Sequence, residues 1–216
     1  VIFKIALIVV VAIKVSKNYH NEGFRFALDL QFALFIVAGF VAQMIDGALG
    51  MAYGVSCSSM LIGFGLSPLA ASASVHTSEV FTTGVSGLSH LTLGNIDKKL
   101  FIRLVITGVF GSVLGAFLIS KVFDGKYIKP FVSVYLLVLG VLILIKALRK
   151  KKAIGEMKHI PLLGFTGGLL DSIGGGGWGP IVNSNLIHRG HNPQLTIGTV
   201  NTAEFFVTFF STGVFL

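Results

Sequence analysis

Long apolar runs, separated by short polar connectors, make up most of the chain. The clearest run covers residues 128–148, and the next covers residues 100–123, with Arg103 and Lys121 near its ends. A helix of about 20 apolar residues crosses a bilayer, and long basic side chains near its ends can reach the headgroups. Both runs are therefore predicted to be transmembrane helices.

A glycine-rich segment interrupts the apolar pattern in each half of the chain. The sequence DGALGMAYG covers residues 46–54, and DSIGGGGWGP covers residues 171–180. A glycine in a helix interior costs about 1 kcal/mol, and four follow one another from Gly174 to Gly177. Non-helical backbone is therefore predicted within residues 46–54 and 172–180. Such backbone survives at membrane depth only inside the protein or beside a cavity, so the two segments are expected to face one another.

Helices are predicted on both sides of each glycine-rich segment. A short apolar helix is expected over about residues 30–45, and a second short stretch is expected to end near residue 64. Proline is favoured in the first turn of a helix. Pro68 is therefore predicted to begin a helix over residues 68–94, and Pro193 is predicted to begin its counterpart.

The second half of the chain repeats the first. Residues 164–216 align with residues 39–91 at a constant offset of 125 without a gap, and 17 of the 53 positions are identical. The identities include both aspartates and both prolines of the pattern, and one glutamate in each half: Asp46 with Asp171, Pro68 with Pro193, and Glu79 with Glu204. Chance similarity would not keep these residues in register, so the two segments are predicted to share one fold.

The composition favours a chain embedded in a membrane. Hydrophobic residues make up 53% and charged residues 12%, whereas a soluble domain carries about 25% charged residues. The predicted fold class is an all-α integral membrane protein, a polytopic helical bundle of two internal repeats with broken, glycine-rich short helices. Three crossings per repeat would make the copies inverted and four would make them parallel; the inverted arrangement is favoured.

The net charge of +8 comes mainly from connectors, such as Lys98, Lys99 and the run from Arg149 to Lys152. This pattern is typical of juxtamembrane loops in contact with anionic lipid, and the five Lys or Arg residues within 146–152 predict a cytoplasmic loop there. No aromatic and basic residues alternate as in a nucleic-acid platform, so no nucleic-acid partner is expected. The single cysteine, Cys57, excludes an intrachain disulfide and a multi-cysteine metal site, and neither a metal nor a cofactor is expected.

Three segments are predicted along the chain. Residues 1–23 would form a helix end and a connector, residues 24–148 the first repeat, and residues 149–216 a second repeat that lacks its last helices. The chain does not begin with Met, and both of its ends lie within apolar runs. A fragment of a longer protein is therefore expected.

The two glycine-rich segments are the best candidates for a binding site. Paired interrupted helices indicate a transporter's substrate site, and free N–H groups beside a helix N-terminus favour an anion. Asp46 and Asp171 each precede the glycines. Because a carboxylate would repel an anion, a helix-capping role is favoured for both, and a substrate-facing or protonatable role is the alternative.

Glu79 and Glu204 lie in otherwise uncharged helical stretches. An acid within a membrane segment is a functional candidate by default, so both are candidate proton-coupling groups; hydrogen bonding between helices is the alternative. His76 lies one turn before Glu79, and Asn201 holds the matching position in the second copy. Two threonines beside the acids could donate to a bound oxyanion or to a neighbouring helix: Thr77 and Thr202.

Three further segments are characteristic in combination: SGLSHLTLGNID at residues 86–97, FTGGLLDSIGGGGWGP at 165–180 and TVNTAEFFVTFFST at 199–212. Together with the proline-initiated helix that carries Thr77 and Glu79, they resemble the TauE/SafE family of sulfite and organosulfonate exporters. The resemblance extends over about residues 30–216. It implies export of a small sulfur oxyanion or sulfonate across the cell membrane of a prokaryote by a multi-pass protein.

By resemblance, eight further residues occupy motif positions of the family, and they are the predicted substrate-binding residues: Gly50, Gly54, Thr77, Gly175, Gly179, Pro180, Asn201 and Thr202. Glu79 and Glu204 occupy motif positions as well. Val55 stands where the second copy has Pro180, so the first glycine-rich segment is expected to bend less sharply.

The function predicted from the sequence is secondary export of a small sulfur-containing anion. No GxxxxGK[ST] motif occurs, so ATP-driven transport by this chain is not expected. The alternatives are a passive anion channel and a non-transporting assembly or scaffold protein. A membrane enzyme is disfavoured because no serine lies in a GxSxG turn. The expected partners are a small anion and the bilayer, and the sequence is compatible with a homodimer.

Overall fold

Every element that the structure describes is helical. The structure is a computed structural model that describes residues 22–148 and 159–216. The helices are α1 (Glu22–Leu49), α2 (Tyr53–Gly63), α3 (Pro68–Thr92), α4 (Lys98–Phe117), α5 (Gly125–Leu148), α6 (Ile160–Gly174), α7 (Ser184–His188) and α8 (Pro193–Phe215). A π-helical turn extends α4 over Leu118–Val122, and another precedes α7 over Gly179–Asn183. The all-α class is confirmed.

Three of the described helices are long and apolar enough to cross a membrane: Leu30–Leu49, Lys98–Val122 and Gly125–Lys146. Large apolar side chains on their outer faces, such as Phe110 and Phe131, are 71% exposed. An aqueous surface would not favour such faces, whereas lipid tails cover them at no cost. The loop predicted from the five basic residues within 146–152 lies outside the described residues from Arg149 onward, as does the N-terminal segment up to residue 21.

The predicted helix starts are confirmed at both prolines. Ser67 precedes Pro68, and its hydroxyl accepts from the N–H of Ala70 at 3.2 Å. Asn192 precedes Pro193, and its Oδ1 accepts from the N–H of Gln194 at 2.9 Å. Each cap satisfies an N–H group that has no partner within its own helix.

The first short helix is longer than predicted. α1 continues through Asp46 to Leu49 instead of ending near residue 45. The N–H of Gly50 still donates to the carbonyl of Asp46 at 2.6 Å, which closes one more helical turn. Within the two glycine-rich segments, non-helical backbone is therefore confined to residues 50–52, the first break, and to residues 175–177, the second break.

Glycines allow close helix contacts in the core. α4 packs against α6, where Gly111 lies against the carbonyl of Phe165 and Gly115 against that of Leu169. α3 packs against α8, the helix predicted as its counterpart: a Cβ added at Gly87 would lie 3.3 Å from the Cα of Thr202. These close contacts are typical of helices that associate within a membrane.

Positions that match at the offset of 125 residues adopt similar local geometry. Gly50 and Gly175 both have a φ of 70°. Gly65 and Gly190, which also match, have φ values of 101° and 95°. These details support the repeat, while the superposition of the two copies, their relative orientation and the three predicted segments stay predictions.

Candidate substrate-binding cavity

The two glycine-rich segments, residues 46–54 and 171–180, lie directly against each other inside the protein. A Cβ added at Gly54 would lie 2.6 Å from the Cα of Gly176 and 2.9 Å from the carbonyl oxygen of Gly175. A Cβ at Gly179 would lie 3.2 Å from that of Met51. The prediction that the glycine-rich segments face each other is confirmed.

Each aspartate reaches across its own break to the helix that follows. Oδ1 of Asp46 accepts from the N–H groups of Ala52 at 2.9 Å and Tyr53 at 3.1 Å. Oδ1 of Asp171 accepts from Gly177 at 2.6 Å and Trp178 at 3.0 Å. The acceptors and donors are six and seven residues apart in both cases, so both aspartates act as caps.

This capping changes the predicted anion site. An anion nest needs backbone N–H groups without an acceptor in the protein. The first N–H groups after each break already donate to a carboxylate. The expectation that these four N–H groups are open to a bound anion is wrong, because the carboxylates of Asp46 and Asp171 already accept their hydrogen bonds.

A cavity of about 120 Å³ lies between the breaks, α3 and α8. One water molecule takes about 30 Å³ in the liquid, so the space suits a small polyatomic ion. Nine of the predicted site residues line it: Asp46, Gly50, Gly54, Glu79, Asp171, Gly179, Pro180, Asn201 and Glu204.

The cavity is acidic. Among the described residues that line it, four are carboxylates and none is Lys or Arg: Asp46, Glu79, Asp171 and Glu204. Asp171 is 1% exposed and Glu79 is 4% exposed, whereas Asp46 and Glu204 are half-buried. Both predicted coupling acids therefore face the same small space.

Three predicted substrate-binding residues lie outside the cavity. The Thr77 hydroxyl donates to the carbonyl of Ala73 at 2.7 Å, and Thr77 lines a separate apolar cavity. The Thr202 hydroxyl donates to the carbonyl of Gly198 at 2.7 Å. The carbonyl of Gly175 accepts from the Ser58 hydroxyl at 2.5 Å. The structure does not bring these three residues to the cavity.

Several lining residues were not singled out in the sequence. Tyr53 and Trp178 match at the offset of 125, so the repeat could have identified them. Gln43 lies one turn before Asp46 on the same face of α1, which helical spacing could have shown. Asn183 gave no signal, since its side chain reaches the cavity only through the π-helical turn after the second break.

That turn also bears on the expected difference in bending. Pro180 lies in the π-helical turn Gly179–Asn183, which leads into the short α7. Val55 lies in α2, a regular helix of 11 residues. A proline has no N–H to donate, so the wider turn follows in the copy that carries Pro180 and not in the other.

His76 was associated in the sequence with Glu79, but the structure pairs it with Asp171. Its Nε2 lies 3.1 Å from Oδ2 of Asp171, the carboxylate oxygen that does not cap the break. His76 is fully buried. Through this contact α3 of the first copy is attached to the break of the second.

Helices long and apolar enough to span a membrane, paired breaks and a small interior cavity are typical of polytopic membrane transporters. The chain belongs to the TauE/SafE family: the family model described as "Sulfite exporter TauE/SafE" matches residues 35–216. It is also 45% identical over 191 residues to a protein of Bacillus subtilis (strain 168) described as "Probable membrane transporter protein YtnM". That alignment covers 85% of this chain and 63% of the relative. No solved structure matches the chain.

The family predicted from the sequence is thus confirmed. The prediction that the chain is a membrane protein of a transporter family is confirmed with it. The chain spans less than two thirds of the length of that relative.

Proposed function

We propose that the chain is a secondary transporter that exports a small sulfur-containing anion, such as sulfite or an organosulfonate, and binds and releases protons in the same cycle. The cell membrane of a prokaryote is the proposed location. The family description supports the substrate class. The observation that carries the proposal is the cavity between the two breaks, in which four acids face one another.

The acidic lining links anion binding to proton binding. Two unit charges of the same sign 4 Å apart repel by about 4 kcal/mol at an effective dielectric constant of 20. An anion among four carboxylates would therefore be expelled unless some of the acids carry protons. Protonated acids become hydrogen-bond donors to an oxyanion. Glu79 and Glu204, which do not cap a break, are the proposed proton carriers.

A lysine close to the cavity supports an anionic substrate. Lys146 lines an adjoining cavity of about 330 Å³ that shares Met51 with the central one. Its Nζ donates to the hydroxyl of Ser184 at 2.7 Å. A partly buried ammonium group beside the cavity raises the local anion concentration, so the adjoining cavity is the proposed approach to the site.

Counterflow in proteoliposomes tests the proposal. Purified protein would be reconstituted and loaded with labelled sulfite, and unlabelled sulfite, thiosulfate, sulfate, sulfonates or carboxylates would be added outside. A transporter exchanges its substrate with the label, and an imposed pH gradient should accelerate net flux. Glu79→Gln and Glu204→Gln keep the size and polarity of each side chain but remove its titration. Each should still exchange anion while responding less to the gradient.

Asp124→Asn is the matched control, since Asp124 is an exposed acid in the connector between α4 and α5. It should behave like the parent protein. Flux that never exceeds passive equilibration would instead support an anion channel, and a lack of flux for every anion would support an assembly role. Unchanged gradient responses in both glutamate variants would rule out these acids as the proton carriers.

A further inference from the structure

The hydrogen-bond partners of His76 determine that its Nδ1 carries a proton. Its Nδ1 lies 2.9 Å from the carbonyl oxygen of Ser72 and 3.4 Å from the Ser72 hydroxyl oxygen. A carbonyl can only accept a hydrogen bond, and the Ser72 hydroxyl already donates its proton to the carbonyl of Ser172 at 2.6 Å. Both neighbours of Nδ1 are therefore acceptors, so Nδ1 must be protonated.

The other side of the ring then needs a second proton. Nε2 of His76 lies 3.1 Å from Oδ2 of Asp171. In a neutral imidazole with a proton on Nδ1, Nε2 carries a lone pair, and a lone pair facing a carboxylate oxygen is repelled. The observed contact requires one proton between these atoms, either as imidazolium with carboxylate or as imidazole with carboxylic acid. Both forms contain the same number of protons.

The surroundings hold this proton in place. The pair is fully buried, and Oδ1 of Asp171 is occupied by two N–H groups of the second break. Besides the pair itself, the titratable groups here come from two helices: Glu79 of α3 and Tyr135 of α5. The Tyr135 ring lies over Gly174, and its hydroxyl lies beside Gly177. From α8, the ring of Phe215 contacts that of His76 with centroids 5.5 Å apart. Among these groups, only His76 carries a positive charge in any protonation state, and Asp171 lines the cavity.

We propose that His76 and Asp171 together form a proton-binding site, and that the shared proton attaches α3 to the second break. The proposal rests on the proposed function for its role in transport, but not for the presence of the proton. When the proton leaves from Oδ2 to water in the cavity, Nε2 and Oδ2 repel each other. The contact between α3 and the break is then lost, so that protonation controls whether the break can move.

The first break lacks such a histidine partner. The position that matches His76 holds Asn201, an amide that does not titrate near neutral pH, and its Nδ2 donates to the hydroxyl of Ser86 at 3.2 Å. The matching aspartate, Asp46, is half-buried at the cavity. The proton site is therefore a property of one break and not of the repeat.

Solid-state NMR of ¹⁵N-histidine-labelled protein in lipid bilayers tests the proton directly. His76→Gln identifies the signals of His76 by their loss. In the parent protein, Nδ1 should be protonated and Nε2 should show a proton shared with an acceptor. In Asp171→Asn the amide can donate to Nε2, so the Nε2 signal should move to the position of an unprotonated nitrogen while Nδ1 stays protonated. An unprotonated Nδ1 in the parent, or an Nε2 signal unchanged by Asp171→Asn, would overturn the proposal.

Transport assays test the role of the proton. The Gln of His76→Gln can donate to Asp171 but cannot titrate. Anion exchange should therefore still be measurable, while the ratio of flux with a pH gradient to flux without it falls below that of the parent. His159→Gln is the control, because His159 is exposed just before α6. A gradient response in His76→Gln equal to that of the parent would overturn the coupling role. If the parent moves no anion, the proposed function fails, and the NMR result still decides whether the pair holds the proton.

Discussion

The two breaks use the same cap in different surroundings. In each, an aspartate accepts from the N–H groups six and seven residues further on, and a glycine with a φ of 70° follows the aspartate by four residues. The second break is buried throughout, from Gly174 to Pro180, whereas Gly50 and Met51 of the first are half-exposed. The same aspartate cap therefore occurs once in the buried core and once in a partly exposed segment.

Because their contacts differ, the two breaks are expected to differ in how readily they move. The second break is attached to α3 through His76 and packed against Tyr135. The first has Asn201 in the place of that histidine, and the carbonyl of Gly50 accepts only a long hydrogen bond, at 3.5 Å, from Asn183. Opening the first break therefore costs fewer buried contacts. The first break is expected to move readily, and the second only when its proton leaves.

The contact between the breaks should be the most sensitive position. Gly54→Ala would place a methyl group 2.6 Å from the Cα of Gly176 and 3.2 Å from Oε1 of Glu79. Because the nearest neighbour is backbone, it cannot rotate away, and the breaks must separate. Counterflow should fall at least tenfold, a change of about 1.4 kcal/mol or more.

Gly47→Ala is the control for this change. Gly47 also lies in a helix beside the first break, but no atom lies within 4 Å of the added Cβ. Counterflow should be unaffected, and membrane insertion, measured by detergent solubility and size-exclusion profile, should be the same for both variants. Counterflow by Gly54→Ala at the level of the parent would show that the breaks need not touch.

Removing each aspartate should separate the two environments. Asp171→Ala leaves two buried N–H groups without their acceptor and His76 without its partner, and the loss of one member of a buried ion pair costs about 3–5 kcal/mol. Asp46→Ala removes a cap from a partly hydrated break, for about 0.5–2 kcal/mol. Thermal unfolding in one detergent should give the lower midpoint for Asp171→Ala. Equal midpoints would mean that burial of the second break does not stabilise the fold.

Some of this asymmetry was visible in the sequence and some was not. The offset of 125 residues identified both aspartates, both breaks and the prolines at Pro68 and Pro193, because helix starts and glycine runs depend on local chain chemistry. The partner of His76 is 95 residues away. Helical spacing linked the histidine to Glu79. No pattern in the neighbouring sequence could show that α6, which carries Asp171, would pack against His76.

The length of α1 and the loss of the anion nest have the same origin. Asp46 was expected to end its helix, but its side chain reaches forward over the break while its carbonyl continues the helix. Thr77 and Thr202 were expected at the site because they adjoin the acids in sequence. Each threonine lies two residues before its glutamate, which places it about 200° away around the helix axis, and both hydroxyls donate to their own helices instead.

The smallest expected effect lies where the copies are most alike. Gly65 and Gly190 follow α2 and α7 with φ values of 101° and 95°, and both are exposed. The N–H of each donates three residues back, to Ile62 and Ile187. Alanine in a left-handed conformation costs roughly 1–2 kcal/mol, so Gly65→Ala and Gly190→Ala should lower the unfolding midpoint by the same small amount, with counterflow retained.

Gly63→Ala, at the end of α2 with no atom near the added Cβ, is the control and should not lower the unfolding midpoint. Because these turns lie outside the cavity, a marked difference between the two variants would mean that the copies differ in their backbone as well as in their surroundings, and the shared fold of residues 39–91 and 164–216 would have to be given up.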